Sequence, residues 1–365
     1  MIRKTLFLGT GGCGSKLTNT LMELSSIVNG AFINSNINEM KKLSKFDVNS
    51  SNYLFINGEG TGRNPVKAEE LLERDKTKVA EFVRMHLNYT TVVISFYTDG
   101  GFGSGSVQLL CKAFKNMSRR LGNEIAVNLI GVCPKFNNRK INLENTLWAK
   151  DKIKKLRAEG LIDSYIFINN NQMEGRNESD FNKEVMKSIY NAYTINYDEL
   201  DPTDAGIINN TKGYKAILEL DNRMACHTKD AINQAISNSN FVLPKNIGVC
   251  DSIGISLVEG EFNNKEALDS FNVREFDKED YNPFKNIIVL GGCKEPNWIF
   301  NEYAKEYQKK LDEDKFEDIY DSDEDDIELE LDFDRRRKNN KQETKSKPVN
   351  INTLKDLRSL YDDIW

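Results

Sequence analysis

The chain predicts an α/β fold: a doubly wound, mostly parallel sheet, a central helix and a smaller α+β second domain. Three features predict it. Continuous apolar strands alternate with helical stretches through the first half, as strands buried on both faces do. Two glycine-rich loops, Gly9-Thr10-Gly11-Gly12-Cys13-Gly14 and Gly100-Gly101-Phe102-Gly103-Ser104-Gly105, each follow such a strand and open a helix. Past Gly213 the apolar segments form a second, shorter series of strands and helices.

The elements follow in order. Arg3–Leu8 is the first expected strand and Ser15–Leu24 the helix after it. Gly30–Asn34 and Tyr53–Asn57 supply the second and third strands, and Pro65–Leu87 one helix opened by its proline. Thr91–Tyr97 is a buried strand, Ser106–Leu121 its following helix, and Glu124–Val132 and Ser164–Asn169 further strands. In the second unit strands are expected at Lys215–Glu219, Asn246–Val258 and Asn286–Leu290, with helices at Asp230–Ser237 and Asn297–Leu311. In the last helix Ile299, Tyr303, Tyr307 and Leu311 recur every four residues as a core stripe. The expected division is 1–180, 181–212 for the central helix and the loop after it, 213–315, and a tail over 316–365.

That tail is charge-segregated. Glu317–Asp334 holds eleven acidic residues and no basic one, whereas Arg335–Lys347 holds seven lysines and arginines against Glu343 alone. Such a reversal predicts disorder. Beyond it Leu354, Leu357, Tyr361 and Ile364 share one helical face.

Composition narrows the function classes. The 365 residues are 39% hydrophobic and 29% charged, with a net charge of −6, which argues against a body-wide nucleic-acid surface. No apolar run approaches the roughly 18–20 residues of a membrane span. The apolar start Met1–Gly9 is too short for a leader and ends in the first glycine loop, so a cytoplasmic protein is expected. Six scattered cysteines without a CxxC pair read as reduced thiols, and two histidines speak against a zinc site or a histidine-activated nucleophile.

The glycine loops carry the chemistry. A backbone without Cβ atoms, followed by the positive end of a helix, cradles phosphate. Strands of an open α/β sheet hold ligands at their carboxyl ends, where both loops lie. Gly9-x-Gly11-x-x-Gly14 also fits a dinucleotide fingerprint, the reading of a Rossmann-type oxidoreductase. The second strand, however, ends in Asn34-Ser35-Asn36 without the ribose-binding acid. A Walker A loop fails as well, because Ser15-Lys16 follows Gly14. A third turn, Asn57-Gly58-Glu59-Gly60-Thr61-Gly62-Arg63-Asn64-Pro65, offers backbone amides to a terminal phosphate and ends at a helix start.

Taken in order, these motifs resemble the tubulin/FtsZ superfamily of GTPases over about Met1 to Leu311. Gly11-Gly12-Cys13-Gly14 is similar to the family's first phosphate loop, Asn34-Ser35-Asn36 to its second, and Gly60-Thr61-Gly62-Arg63-Asn64-Pro65 to the loop that senses the γ-phosphate. Gly100-Gly101-Phe102-Gly103-Ser104-Gly105 resembles the signature GGGTGSG, with Phe102 where the family has threonine. The resemblance implies GTP and GDP as ligands, with Mg2+ held through the phosphates and no dedicated metal site. The implied nucleotide-binding residues are Gly11, Gly12, Cys13, Gly14, Asn34, Asn36, Gly60, Thr61, Gly62, Asn64 and all six residues from Gly100 to Gly105. It adds Asn145 at the ribose and Asn182 on the central helix at the guanine edge. Glu199-Leu200-Asp201-Pro202-Thr203-Asp204 resembles the catalytic loop, which implies Asp201 and Asp204 as the acids that orient a water for a neighbouring subunit's γ-phosphate.

Finer details resemble the TubZ group of plasmid and phage segregation tubulins. They are Gly131-Val132-Cys133-Pro134-Lys135, Asn169-Asn170-Asn171 and Lys215-Ala216-Ile217-Leu218-Glu219-Leu220-Asp221. The resemblance implies a head-to-tail homopolymer without membrane attachment. Its basic tail would engage a DNA-bound adaptor of the TubR type, with nucleic acid as indirect cargo. An FtsZ-like cell-division scaffold is the alternative on the same fold.

Overall fold

The computed structural model describes residues 2–58, 60–173, 175–195, 202–221, 227–281 and 285–319. Among them ten strands form one sheet. They are β1 (Thr5–Thr10), β2 (Asn29–Asn34), β3 (Tyr53–Phe55), β4 (Thr91–Tyr97), β5 (Ala126–Cys133), β6 (Ser164–Asn169), β7 (Gly213–Glu219), β8 (Val249–Leu257), β9 (Asn272–Tyr281) and β10 (Ile287–Cys293). Their spatial order is β3-β2-β1-β4-β5-β6-β7-β10-β8-β9. The first seven run parallel. β10 lies antiparallel between β7 and β8, and β9 pairs parallel with β8. The expected mostly parallel, doubly wound sheet is present.

The described helices are α1 (Gly11–Leu24), α2 (Ile37–Met40), α3 (Pro65–Arg74), α4 (Lys76–Met85), α5 (Phe102–Arg120), α6 (Lys140–Ala158), α7 (Glu178–Tyr193), α8 (Pro202–Asn210), α9 (Thr228–Ser237), α10 (Asn264–Asp269) and α11 (Asn297–Ile319). The strand order reverses between β1 and β4, and α1 and α5 leave the carboxyl ends of those two strands. Both glycine loops therefore meet at the switch point where open α/β sheets bind ligands. Every position of β1 and β6 is buried, which explains their unbroken apolar runs.

Three expectations differ from the structure. Pro65–Leu87 is two helices broken at Asp75, whose N–H bonds the carbonyls of Leu71 and Glu73. One straight helix of that span would run about 35 Å, whereas the break turns Val79, Ala80 and Val83 back onto the core. β9 has no counterpart in the sequence reading, because its run Asn-Val-Arg-Glu-Phe-Asp-Lys-Glu-Asp-Tyr is as charged as an edge strand requires. α11 continues to Ile319, past the expected start of the tail at 316. The acidic run beyond Ile319, the basic run and the Leu354–Trp365 segment lie outside the described residues. Among the described residues no helix is long and apolar enough to cross a membrane.

One buried ion pair fastens the middle of the sheet. Lys115 on α5 is 1% exposed, and its Nζ lies 2.7 Å from Asp163 Oδ2. Asp163 also accepts from Val127 N at 2.7 Å, and its carbonyl accepts from Gly213 N at 2.8 Å. One residue thus joins α5, β5 and the start of β7. Removing one partner of such a pair strands the other charge, with only the more distant Glu124 at 3.5 Å to meet it. Asp163→Ala should therefore lower unfolding free energy by about 3 kcal/mol, measured as the shift of a urea transition. Asp163→Asn, which keeps an acceptor for Val127, should also lose the charge pairing and sit between wild type and Asp163→Ala.

Candidate functional site

Three loops touch through their backbones. Gly11 adopts φ +68°, and a Cβ there would stand 2.9 Å from Gly103 N. A Cβ on Gly101 would stand 2.8 Å from Arg63 Cα and would overlap the Thr61 hydroxyl. Thr10 Oγ1 and Ser106 Oγ, from the two glycine-loop segments, share a 2.5 Å hydrogen bond. The close approach is what glycine permits, and any larger residue would force the loops apart.

The helices that leave these loops begin without side-chain caps. Thr10 before α1 and Gly101 before α5 make no cap hydrogen bond. By contrast α2, α3 and α7 are capped by the side chains of Asn36, Asn64 and Asn177. First-turn amides of α1 and α5 therefore remain available to an anion, with two helix dipoles behind them.

The amides face a cleft of about 260 Å³. Of the residues the sequence singled out, Gly11, Gly12, Cys13, Asn34, Asn36, Gly60, Thr61, Gly62, Gly100, Gly101, Phe102 and Gly103 line it. A second cleft of about 600 Å³ adjoins it through Gly12, Cys13, Glu39 and Tyr97 and is lined by Asn182. Adjoining spaces of this size suit a nucleotide-sized ligand. A Cβ on Gly60 or Gly62 would meet nothing within 4 Å, so this wall of the cradle is open to a ligand.

Five of the named residues support the cradle from behind. Gly14 and Gly105 pack against backbone, at Ser95 and Pro65 respectively. Asn64 spends its carboxamide oxygen on the N–H groups of Val66 and Lys67. Ser104 donates its hydroxyl to the Gly100 carbonyl, so it does not supply the hydroxyl missing at Phe102. Phe102 itself is 5% exposed and joins the core. Asn145, which the resemblance put at the ribose, is 1% exposed and does not line either cleft. Its Nδ2 donates to Arg63 O at 2.7 Å and to Asp99 O at 3.1 Å, clamping two loops together.

The sequence reading missed several side chains in and beside the clefts, among them Glu39, Tyr97, Arg63 and Asp99. Glu39, on the single turn α2, accepts from Asn34 Nδ2 at 2.8 Å and stands over Gly12. Tyr97 lines both clefts, and its hydroxyl accepts from Asn170 Nδ2 at 3.2 Å. Arg63 lines the smaller cleft. Asp99, just before the second glycine loop, is 5% exposed. Burial pushes its carboxyl up to about 6, against the Arg63 charge and a hydrogen bond from Asn138. Burial also pushes the Cys13 thiol up to about 12, aided by the Glu178 charge, so at neutral pH it is a neutral lining group.

Asp201 lies outside the described residues, and of Asp204 only its place in α8 is described. The far end of α8 is fixed under the amino ends of the strands. Asn210 Nδ2 donates to Thr91 Oγ1 at 3.2 Å, and Asn128 Nδ2 donates to Asn210 Oδ1 at 2.8 Å. Ser164 Oγ donates to Asn209 O at 3.0 Å. Thr91 opens β4 and Tyr97 ends it, so about 20 Å of strand separates this contact from the glycine cradle.

The buried Asp99 makes stability pH-dependent. A carboxyl whose folded pKa is raised contributes stability below its unfolded value near 4. That contribution is lost as pH rises through about 6. Asp99→Asn, which mimics the neutral acid, should match wild type near pH 4 and exceed it by on the order of 2–3 kcal/mol at pH 7.5. Urea unfolding of both proteins at the two pH values measures the difference.

No protein-family model matches the chain. It is 24% identical over 306 residues to the tubulin-like protein TubZ of Clostridium botulinum C phage, covering 80% of each. It is 25% identical over 183 residues to the tubulin-like protein CetZ of Pyrococcus abyssi, covering 48% of this chain and 47% of the relative, so it matches about half the length of that protein. The tail-truncated TubZ of Clostridium botulinum phage c-st superposes with a TM-score of 0.75 at 22% identity, over 86% of this chain and 99% of the other. A GTPγS-form protofilament of Bacillus thuringiensis serovar israelensis TubZ gives a TM-score of 0.69 at 14% identity, over 87% and 93%. The chain has the fold of the tubulin-like proteins and is similar to TubZ in sequence and structure.

Proposed function

We propose that the chain is a GTPase that polymerises head to tail and hydrolyses GTP at the junction between subunits. The observation that carries the reading is polarity: an uncapped, glycine-built anion cradle at the carboxyl ends of the strands, and α8 anchored at their amino ends. A contact between opposite poles is heterologous, and repeated it grows an open filament. The TubZ neighbour solved as a GTPγS-form protofilament supports the same arrangement.

In this reading the amides of α1 and α5 bind the phosphates and Asn182 reads the guanine edge, its carboxamide offering both a donor and an acceptor. Mg2+ enters with the triphosphate, held by its oxygens and by water. Asp201 and Asp204 of the next subunit orient the attacking water, so neither subunit hydrolyses alone. The loss of the terminal phosphate then weakens the junction. The basic run Arg335–Lys347 and the Leu354–Trp365 segment engage a DNA-bound adaptor of the TubR type, and the filament moves plasmid or phage DNA in the cytoplasm.

Sedimentation and phosphate release, followed together, test this. The rate per subunit should rise with protein concentration, and a constant rate would refute assembly-coupled hydrolysis. Asp204→Ala should bind GTP and pellet like wild type while releasing phosphate roughly 100-fold more slowly or worse.

A further inference from the structure

Glu39 is the one charged side chain where the two clefts join. Gly12, Cys13, Glu39 and Tyr97 line both spaces. Of these, the Cys13 thiol is neutral at neutral pH, and Tyr97 engages Asn170 through its hydroxyl. Glu39 is exposed, yet its carboxylate is held in place. Its Oε2 accepts from Asn34 Nδ2 at 2.8 Å, and a Cβ on Gly12 would stand 2.7 Å from that oxygen. Asn34 is itself 2% exposed, and its Oδ1 accepts from Asn36 N at 3.3 Å, so both ends of its carboxamide are in use. That leaves Oε1 of Glu39 to a ligand.

The chemistry of a carboxylate limits what this ligand group can be. An ionised carboxylate accepts hydrogen bonds and donates none, and it repels phosphate. A nucleotide carries donors in two places, the base edge and the sugar hydroxyls. With the base edge beside Asn182, which lines only the larger cleft, and the phosphates on the amides of the smaller one, the sugar between them falls at the junction. Asn145, expected at the ribose, lines neither cleft and spends its Nδ2 on the carbonyls of Arg63 and Asp99. The place of the sugar therefore has another acceptor, and it is a charged one.

We propose that Glu39 accepts hydrogen bonds from the vicinal sugar hydroxyls and so selects a ribonucleotide, with Asn34 as the residue that positions it. The inference rests on the nucleotide reading of the clefts and names the part of the ligand that their junction recognises. A site built around a hydroxyl rejects the analogue that lacks it, because the acceptor is then left unpaired. Here it would be left unpaired beside the phosphates.

Calorimetric titration with GDP and with 2′,3′-dideoxy-GDP, at fixed Mg2+, tests it on wild type, Glu39→Ala and Glu39→Gln. Wild type should bind the dideoxynucleotide roughly 10- to 100-fold more weakly than GDP, the worth of a hydrogen bond to a charged acceptor. In Glu39→Ala that ratio should fall to about threefold or less. Glu39→Gln, which keeps an oxygen for Asn34 and so preserves the turn, should lie between the two. Both ligands carry the same base and phosphates, so the ratio is insensitive to the repulsion that removing the charge also relieves. A wild-type ratio retained in both variants, or a wild type that does not discriminate, would overturn the role of Glu39. So would a retained ratio with a GDP affinity that falls only when Mg2+ is present, which would make Glu39 a metal ligand. A wild-type protein that binds neither nucleotide would instead overturn the reading of the clefts themselves.

Discussion

The site depends on backbone packed against backbone. Gly11 against Gly103 and Gly101 against Arg63 leave no room for a side chain between the loops. That contact fixes the amides of α1 and α5 on a shared target before any ligand arrives. Asn145 reinforces it from beneath by holding the carbonyls of Arg63 and Asp99. Preorganised donors of this kind bind an anion without reorganising at the moment of binding. The parallel sheet makes the arrangement possible, because only at the reversal between β1 and β4 do two βα turns lie side by side.

The same sheet gives the molecule its two unlike ends. α7 carries Asn182 near its start, beside the nucleotide-sized cleft, and Tyr193 at its last turn. Its sixteen residues span about 24 Å. Tyr193 meets the buried Lys215, whose Nζ lies 3.3 Å from the phenol and 3.2 Å from Asn209 Oδ1 on α8. Burial lowers that ammonium to about 7. One helix thus spans from the cleft at one pole to the seat of α8 at the other.

Much of this was legible in the residues. β4 and β6 match their expected bounds, since fully buried parallel strands announce themselves as unbroken apolar runs. The glycine loops were legible because glycine has few other reasons to cluster between a strand and a helix. What escaped was set by tertiary contact. Asn145 looks like an exposed polar group on a helix, and only the folded loops reveal the two carbonyls it serves. Glu39 lies on a four-residue helix too short for any periodicity. The break at Asp75 has no proline or glycine to mark it and follows from the need of two apolar stripes to reach one core. β9, charged along its length, has its pattern set by the edge it occupies.

The charge distribution in the cleft shows why an anion site can contain acids. Glu39 stands over Gly12 and Asp99 lies behind the second loop. Two free carboxylates would repel a phosphate, but neither stands alone. The Glu39 carboxylate accepts from Asn34, which ends β2. Asp99 is buried enough to hold its proton until about pH 6, and Arg63 and Asn138 offset its charge above that. The wall of the smaller cleft is then left largely to backbone, whose partial charges titrate at no pH, and among the described residues Arg63 is the one lysine or arginine that lines it.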